Sequence, residues 1–330
     1  MKFSDILGNA KVVDVLKRTA ALRTPFHAYI FEGQEGIGKL FTAKIFAQGL
    51  LCVHPNQEEP CQVCSVCKKI ENENHGDLHI IVSDGKSIKD SQIEELQKLA
   101  SKKPFEADRS IFIIDGAHTM TLRAQNRLLK ILEEPSGEMV VILLAENIEA
   151  ITPTILSRCQ IMRFEPVERD LIRDYLYREW NCSEENAALT AAFSYGSIGR
   201  AIKLLSDEEF RQRRDQSIIC ANVLLKGEFM HQFSQQLRKN SLKKDDAVEF
   251  LEMMEFWFRD KLLAGNGQLE KLIYNQDQME QLKQGEDSVW KEKREMLRII
   301  DRIEQAKAEI QMNVNISYVL KNMFLEIHQK

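Results

Sequence analysis

Four cysteines lie close together in the sequence, with a spacing that could hold a metal ion. They are separated by eight, two and two residues, and they are Cys52, Cys61, Cys64 and Cys67. Four thiolates complete the tetrahedral coordination of zinc and leave no open position, which is typical of a structural site. An iron–sulfur cluster and free loop thiols are the alternatives. We predict structural zinc, because clustered cysteines in a reducing compartment indicate metal more often than disulfides.

A second group of residues could cradle phosphate. The segment 33–39, GQEGIGK, has the glycines and the lysine of a Walker A loop. Its glycines would let backbone N–H groups curl around phosphate oxygens, and Lys39 would reach the terminal phosphates. The next position normally carries the Ser or Thr hydroxyl that holds magnesium. Here it is Leu40, which cannot coordinate a hard cation.

A matching acidic element follows later in the chain. The apolar run 111–114 ends in Asp115, where a Walker B carboxylate would lie, but the next residue is Gly116 instead of the glutamate that activates water. We therefore predict a degenerate nucleotide site without ATP turnover, and nucleotide binding without hydrolysis stays open. The candidate nucleotide-binding residues are Gly33, Gly36, Gly38, Lys39 and Asp115.

The elements that must position these residues follow from the hydrophobic pattern. Short apolar runs alternate with helical patterns up to Pro166, which predicts a parallel sheet covered by helices on both faces. The predicted strands are 28–31, 78–82, 110–114 and 139–144. No proline follows Pro166, and the rest of the chain has helical periodicity, most clearly at 250–258 and 316–327. The charged segment 207–214 is predicted to link two helical units.

Length and composition limit the protein class. The 330 residues suffice for two or three domains, and 44% hydrophobic residues exclude disorder over most of the length. No apolar run is long enough to span a membrane, and residues 1–5 do not resemble a signal peptide, so a cytoplasmic protein is predicted. The net charge of −5 argues against a chain that grips a long stretch of nucleic acid alone.

Several motifs in one order carry a family resemblance. They are the altered phosphate loop, the cysteines, FSDILGN at 3–9, LLKILEEP at 128–135 and TILSRC at 154–159. Together they resemble the AAA+ subunits of the bacterial DNA polymerase III clamp loader over most of residues 1–205. Leu40 and Gly116 favour the delta-prime branch over the ATP-hydrolysing gamma/tau branch.

The resemblance implies a domain organisation and a function. It implies an AAA+ RecA-like α/β domain over 1–165 with a zinc module at 52–67, a helical lid over 166–208 and an all-α oligomerisation collar over 209–330. Arg158 would be an arginine finger that acts in trans on a neighbouring subunit's ATP. The protein would be a subunit of a DNA-directed DNA polymerase holoenzyme (a nucleotidyltransferase) without ATPase activity of its own. Its partners would be gamma/tau and delta subunits, the sliding clamp and primer-template DNA.

Other interpretations remain open at this point. The first is an active clamp-loader motor of the same fold, and the second is a zinc-containing DNA-binding module. Residues 145–147 lack the family's polar sensor, and Arg200 lies one place beyond the usual lid arginine. A helix face with Arg123, Arg127 and Lys130 could contact DNA phosphates or a neighbouring subunit, or could simply be solvated.

Overall fold

The structure is a computed structural model that describes residues 1–56, 58–135, 138–226, 243–264, 267–283 and 289–328. The chain divides into two compact units. The first consists of Met1–Asn181 with Ser194–Ile202, and the second of Cys182–Phe193 with Lys203–Lys330. The three-part division at residues 165 and 208 stays a prediction.

The first unit is built on a parallel sheet. Its five described strands are β1 (Ala28–Glu32), β2 (Leu78–Ile81), β3 (Ser110–Asp115), β4 (Met139–Ala145) and β5 (Gln160–Arg163). They lie in the order β2-β3-β4-β1-β5, and every pairing is parallel. Ala28 is in register with Val141, and Ser110 is in register with Met139. The predicted parallel sheet is therefore confirmed.

Helices of the first unit surround this sheet. They are α1 (Ala10–Leu22), α2 (Lys39–Leu51), α3 (Ser65–Glu71), α4 (Asp90–Ala100), α5 (Leu122–Glu133), α6 (Pro153–Leu156) and α7 (Arg169–Glu179). Helix α5 begins where the Thr121 hydroxyl accepts a hydrogen bond from the Ala124 N–H, which satisfies one unpaired helix-end donor. Apolar residues of α4 and α5 pack with those of β3 and β4 in one buried core. Helix α9 (Ile198–Leu205) begins in this unit.

The second unit is helical over its described residues. Its helices are α8 (Glu184–Phe193), α10 (Glu208–Lys226), α11 (Lys244–Leu263), α12 (Met279–Lys283), α13 (Val289–Gln311) and α14 (Ile316–His328). Trp257 and Phe258 on α11 are fully buried, in a core shared with Val319 and Met323 on α14. The helical periodicity at 250–258 and 316–327 therefore marks true core faces. No described helix combines the length and apolar character needed to cross a membrane.

The structure corrects the sequence analysis at 207–214. This segment is not a linker, because α10 begins at Glu208. Its charges are helix-compatible ion pairs three and four residues apart, Arg211 with Glu208 and Arg213 with Glu209. Arg214 is buried and donates hydrogen bonds to Asn275 and Asp277, so it belongs to the interior of the second unit.

Candidate functional site

The lysine of the phosphate loop is turned back onto its own loop. Lys39 is the first residue of α2 and is only 8% exposed. Its Nζ donates hydrogen bonds to the carbonyl oxygens of Gly33 and Gln34, at 2.5 and 2.8 Å. In this conformation, two backbone carbonyls take hydrogen bonds that a Walker lysine would give to phosphate oxygens.

Three acidic side chains line the cavity beside the loop. The cavity measures about 310 Å³ and lies where β3 and β4 end, next to Leu40 and Gly116. Burial lowers the pKa of the Lys39 ammonium, and this effect is opposed by three lining carboxylates, those of Glu146, Asp115 and Glu35. Among the lining residues that the structure describes, Lys39 is the only lysine or arginine. The side chains that line the cavity thus include three carboxylates and one ammonium group.

The phosphate loop is also in direct contact with the start of α9. The Gly36 carbonyl accepts a hydrogen bond from the Gly199 N–H at 2.8 Å, and the Glu35 carbonyl accepts one from the Ser197 hydroxyl at 2.9 Å. Gly36 has a φ of +72°, and a Cβ there would lie 2.6 Å from the Ser197 Oγ. Glycine is therefore required at Gly36 both by backbone conformation and by packing.

The four clustered cysteines converge as predicted. Their sulfur atoms all lie within 4.8 Å of one another, at the end of α2 and around the start of α3. Backbone N–H groups donate hydrogen bonds to three of the sulfurs: Cys61 N–H to Cys52, Cys64 N–H to Cys61, and Cys67 N–H to Cys64. Four soft donors at these separations can hold a tetrahedral metal ion such as zinc.

Local interactions shape this cysteine module, which we define as residues 52–67. Burial alone would raise the pKa of the Cys61 thiol, but hydrogen bonds from the backbone N–H groups of Cys64 and Val63 outweigh it and bring the pKa to about 6. Burial instead raises the pKa of the Cys52 and Cys67 thiols, so binding of a metal ion to the cluster would have to release their protons. The Gln48 side chain donates to the Cys67 carbonyl at 3.1 Å and fastens the module to α2.

Arg158 lies at an edge of the sheet. It follows the short helix α6 and precedes β5, which is an edge strand. Its Nη1 donates to the Thr154 carbonyl at 2.9 Å and to the Ser157 hydroxyl at 3.3 Å, and its Nη2 lies 2.8 Å from Glu133 Oε1. The side chain is 36% exposed, so the guanidinium is held on its own domain yet can be reached from outside.

The charged face of α5 divides into paired and exposed residues. Arg127 forms a two-pronged ion pair with Asp90 at the start of α4, with Nε–Oδ1 and Nη2–Oδ2 distances of 2.7 Å each. This contact joins two helices, so Arg127 is a structural residue. Arg123 and Lys130 are exposed.

Comparisons with known proteins show the family to which the chain belongs. The family described as "DNA polymerase III, delta subunit" matches residues 8–168. DNA polymerase III subunit delta' of Bacillus subtilis (strain 168) is 34% identical over 305 residues, which cover 92% of this chain and 91% of that protein. The chain belongs to the delta-prime family of DNA polymerase III subunits.

More distant similarities go beyond the delta-prime family. DNA polymerase III subunit tau of Bacillus subtilis (strain 168) is 28% identical over 286 residues, which cover 79% of this chain and 50% of that protein. The crystal structure of a DNA polymerase III, gamma subunit-related protein from Thermotoga maritima aligns with 95% of this chain and 97% of that chain, at 15% identity and a TM-score of 0.48.

The structure of this delta-prime family member groups the predicted site residues into three places. The predicted nucleotide residues lie at or beside one cavity, the four cysteines lie at the other end of α2, and Arg158 lines neither. In the sequence, Glu146 is only a departure from the sensor pattern, and its place beside Lys39 was not predicted. Glu133 is only part of a motif there, and its ion pair with Arg158 was not predicted either. A sequence signal existed for Glu146 alone, because it directly follows a buried strand.

Proposed function

We propose that this protein is a non-hydrolysing delta-prime subunit of the DNA polymerase III clamp loader. In this role it assembles with gamma/tau and delta subunits and helps to place the sliding clamp on primer-template DNA. The observation that carries the proposal is the contrast between two sites of the same chain. Its own phosphate loop lacks a magnesium ligand at Leu40 and a general base at Gly116, whereas the SRC motif keeps an accessible arginine.

Arg158 is the residue proposed to act on a partner. A guanidinium supplied from another chain can stabilise the charge that develops on a transferring phosphoryl group. Its position beside an edge strand supports this role, because a side chain there is available to a neighbouring molecule. Arg158 has little to act on within its own chain, because Leu40 and Gly116 replace the magnesium ligand and the general base of an active ATP site.

Zinc is proposed as the structural metal of the cysteine module. The four thiolate donors match its preference for sulfur, and their closed arrangement supports a structural instead of a catalytic role. Cys52, Cys61, Cys64 and Cys67 would hold the ion, and it would supply folding stability to the module. The proposed ATP chemistry takes place without it.

Reconstitution tests the proposed function as a whole. Gamma/tau and delta subunits are combined with and without this chain, and ATPase stimulated by the sliding clamp and primed DNA is measured. We expect full stimulation and clamp loading only with the chain present, because the complex otherwise lacks one subunit and one finger. Equal clamp loading without the chain, at matched protein concentrations, would rule the proposal out.

The proposal that the chain's own nucleotide site does not hydrolyse ATP has its own test. The purified chain alone should show no magnesium-dependent ATPase above background, with or without DNA, because Leu40 replaces the magnesium ligand and Gly116 replaces the general base. The Lys39→Ala variant should be indistinguishable from the wild type, and a gamma/tau subunit serves as the positive control. ATPase activity that copurifies with the chain and disappears in Lys39→Ala would instead support the active-motor alternative.

A further inference from the structure

The guanidinium of Arg158 is held by two different kinds of acceptor. On one side, Nη1 donates to neutral oxygens of its own short segment, the Thr154 carbonyl and the Ser157 hydroxyl. On the other side, Nη2 contacts a carboxylate from the end of α5, that of Glu133, at 2.8 Å. Nη1 is therefore anchored by neighbouring residues, whereas Nη2 forms an ion pair with a carboxylate 25 positions earlier in the chain.

The anionic contact resembles the interaction that a finger makes with its target. Carboxylates and phosphates are both recognised by the planar fork of arginine through charge-assisted hydrogen bonds. A phosphate oxygen approaching Arg158 would therefore compete with the Glu133 carboxylate for Nη2. While that pair is intact, the carboxylate also cancels much of the positive charge that a finger must present.

We propose that Glu133 is the resting partner of Arg158. In the isolated chain the Glu133 carboxylate binds Nη2, and in the complex it gives way to a phosphate oxygen of the nucleotide on the neighbouring subunit. This inference rests on the proposed function and adds a specific residue to it. Thr154 and Ser157 keep hold of Nη1 when Glu133 leaves, so the arginine remains oriented. Glu133 thus restrains the finger and does not position it for the reaction.

The exchange is expected to be easy. The side chains of Arg158 and Glu133 are 36% and 49% exposed, and an ion pair this accessible to water is weak. Because the contact with Glu133 must be broken before Nη2 can bind phosphate, the ion pair should weaken the apparent ATP affinity by a factor of about two to five. A contact of this strength holds the arginine in the free subunit without blocking its use in the complex.

The first test uses the isolated chain and needs no partner. Phenylglyoxal modifies accessible guanidinium groups, and peptide mass spectrometry gives the labelling rate of Arg158. We expect about two- to fivefold faster labelling in Glu133→Gln than in the wild type, because the glutamine cannot neutralise the guanidinium. Glu134→Gln is the matched control, since Glu134 is exposed and has no ion pair within the described residues. An unchanged rate in Glu133→Gln would overturn the proposal.

The second test separates a restraining role from a positioning role. In the reconstituted complex, Glu133→Gln should lower KM for ATP about two- to fivefold with unchanged kcat, and high salt should reduce the difference. A lower kcat would show that Glu133 positions the arginine in the transition state, and unchanged kinetics would show that the pair has no effect on the finger. Either result overturns the inference. Arg158→Ala is measured in parallel, because wild-type ATPase and clamp loading in that variant would overturn the proposed function itself.

Discussion

Replacing Arg158 with alanine is expected to lower the clamp-stimulated ATPase of the reconstituted complex by about three- to tenfold. Arginine fingers supplied in trans contribute about 10³–10⁵ in rate in well-studied GTPases. The overall loss should be smaller here, because other ATP sites of the complex keep their own fingers. Steady-state ATPase and clamp loading, measured across ATP concentrations, give the effect directly.

The controls for this prediction separate chemistry from folding. Arg178→Ala removes an exposed arginine of α7 whose Nε donates to the Asp174 carbonyl of its own helix, and it should leave ATPase unchanged. Arg158→Lys should rescue only in part, since an ammonium cannot reproduce a planar two-pronged contact. Arg158→Ala should retain metal content and assembly. If that variant assembles normally and loads clamps at the wild-type rate, the finger assignment is wrong.

Loss of the proposed zinc ion is expected to have the largest effect on stability. Purified protein should contain about one zinc per chain, with Zn–S distances near 2.3 Å. Structural zinc contributes about 10–16 kcal/mol in small zinc-finger peptides, but this module also packs against α2, so we expect Cys64→Ser or chelation to lower the unfolding free energy of the first unit by about 3–6 kcal/mol. Elemental analysis and urea unfolding measure the two quantities.

The cysteine control comes from the same chain. Cys182→Ser changes a partly exposed cysteine outside the cluster, and it should leave the zinc content unchanged. Arg158 chemistry should survive in Cys64→Ser protein that remains folded, because Arg158 lies apart from the module. Iron with visible absorbance, or no metal in protein purified without chelators, would contradict the zinc hypothesis.

Buried strands could be predicted from sequence because they are nearly continuous apolar runs. β4 is buried at every residue, and its run 139–145 contains no charged residue. β5 was missed because its sequence, QIMR, is half polar and it lies at the sheet edge, where only Met162 is buried. The start of α10 was misread for a related reason. Its charged residues form ion pairs within the helix, which composition alone cannot distinguish from a solvated link.

Chemical groups that are close in sequence could be predicted better than those joined by the fold. The cysteine spacing and the phosphate loop are local patterns, so the residue types themselves indicated the sites. The ion pair between Glu133 and Arg158 joins the end of α5 to the segment before β5, and no periodicity connects them. The carboxylate of Glu146 likewise approaches Lys39 only because β4 lies beside β1 in the sheet.

Helix α2 connects two sites that have no chemistry in common. Lys39 is its first residue and Cys52 directly follows its last, and a 13-residue helix spans about 20 Å. Helix ends commonly fray, but here one end is secured by the lysine contacts and the other by the cysteine module. We therefore expect a displacement of the phosphate loop to be transmitted along α2 to the cysteine module instead of being absorbed by unwinding of the helix ends.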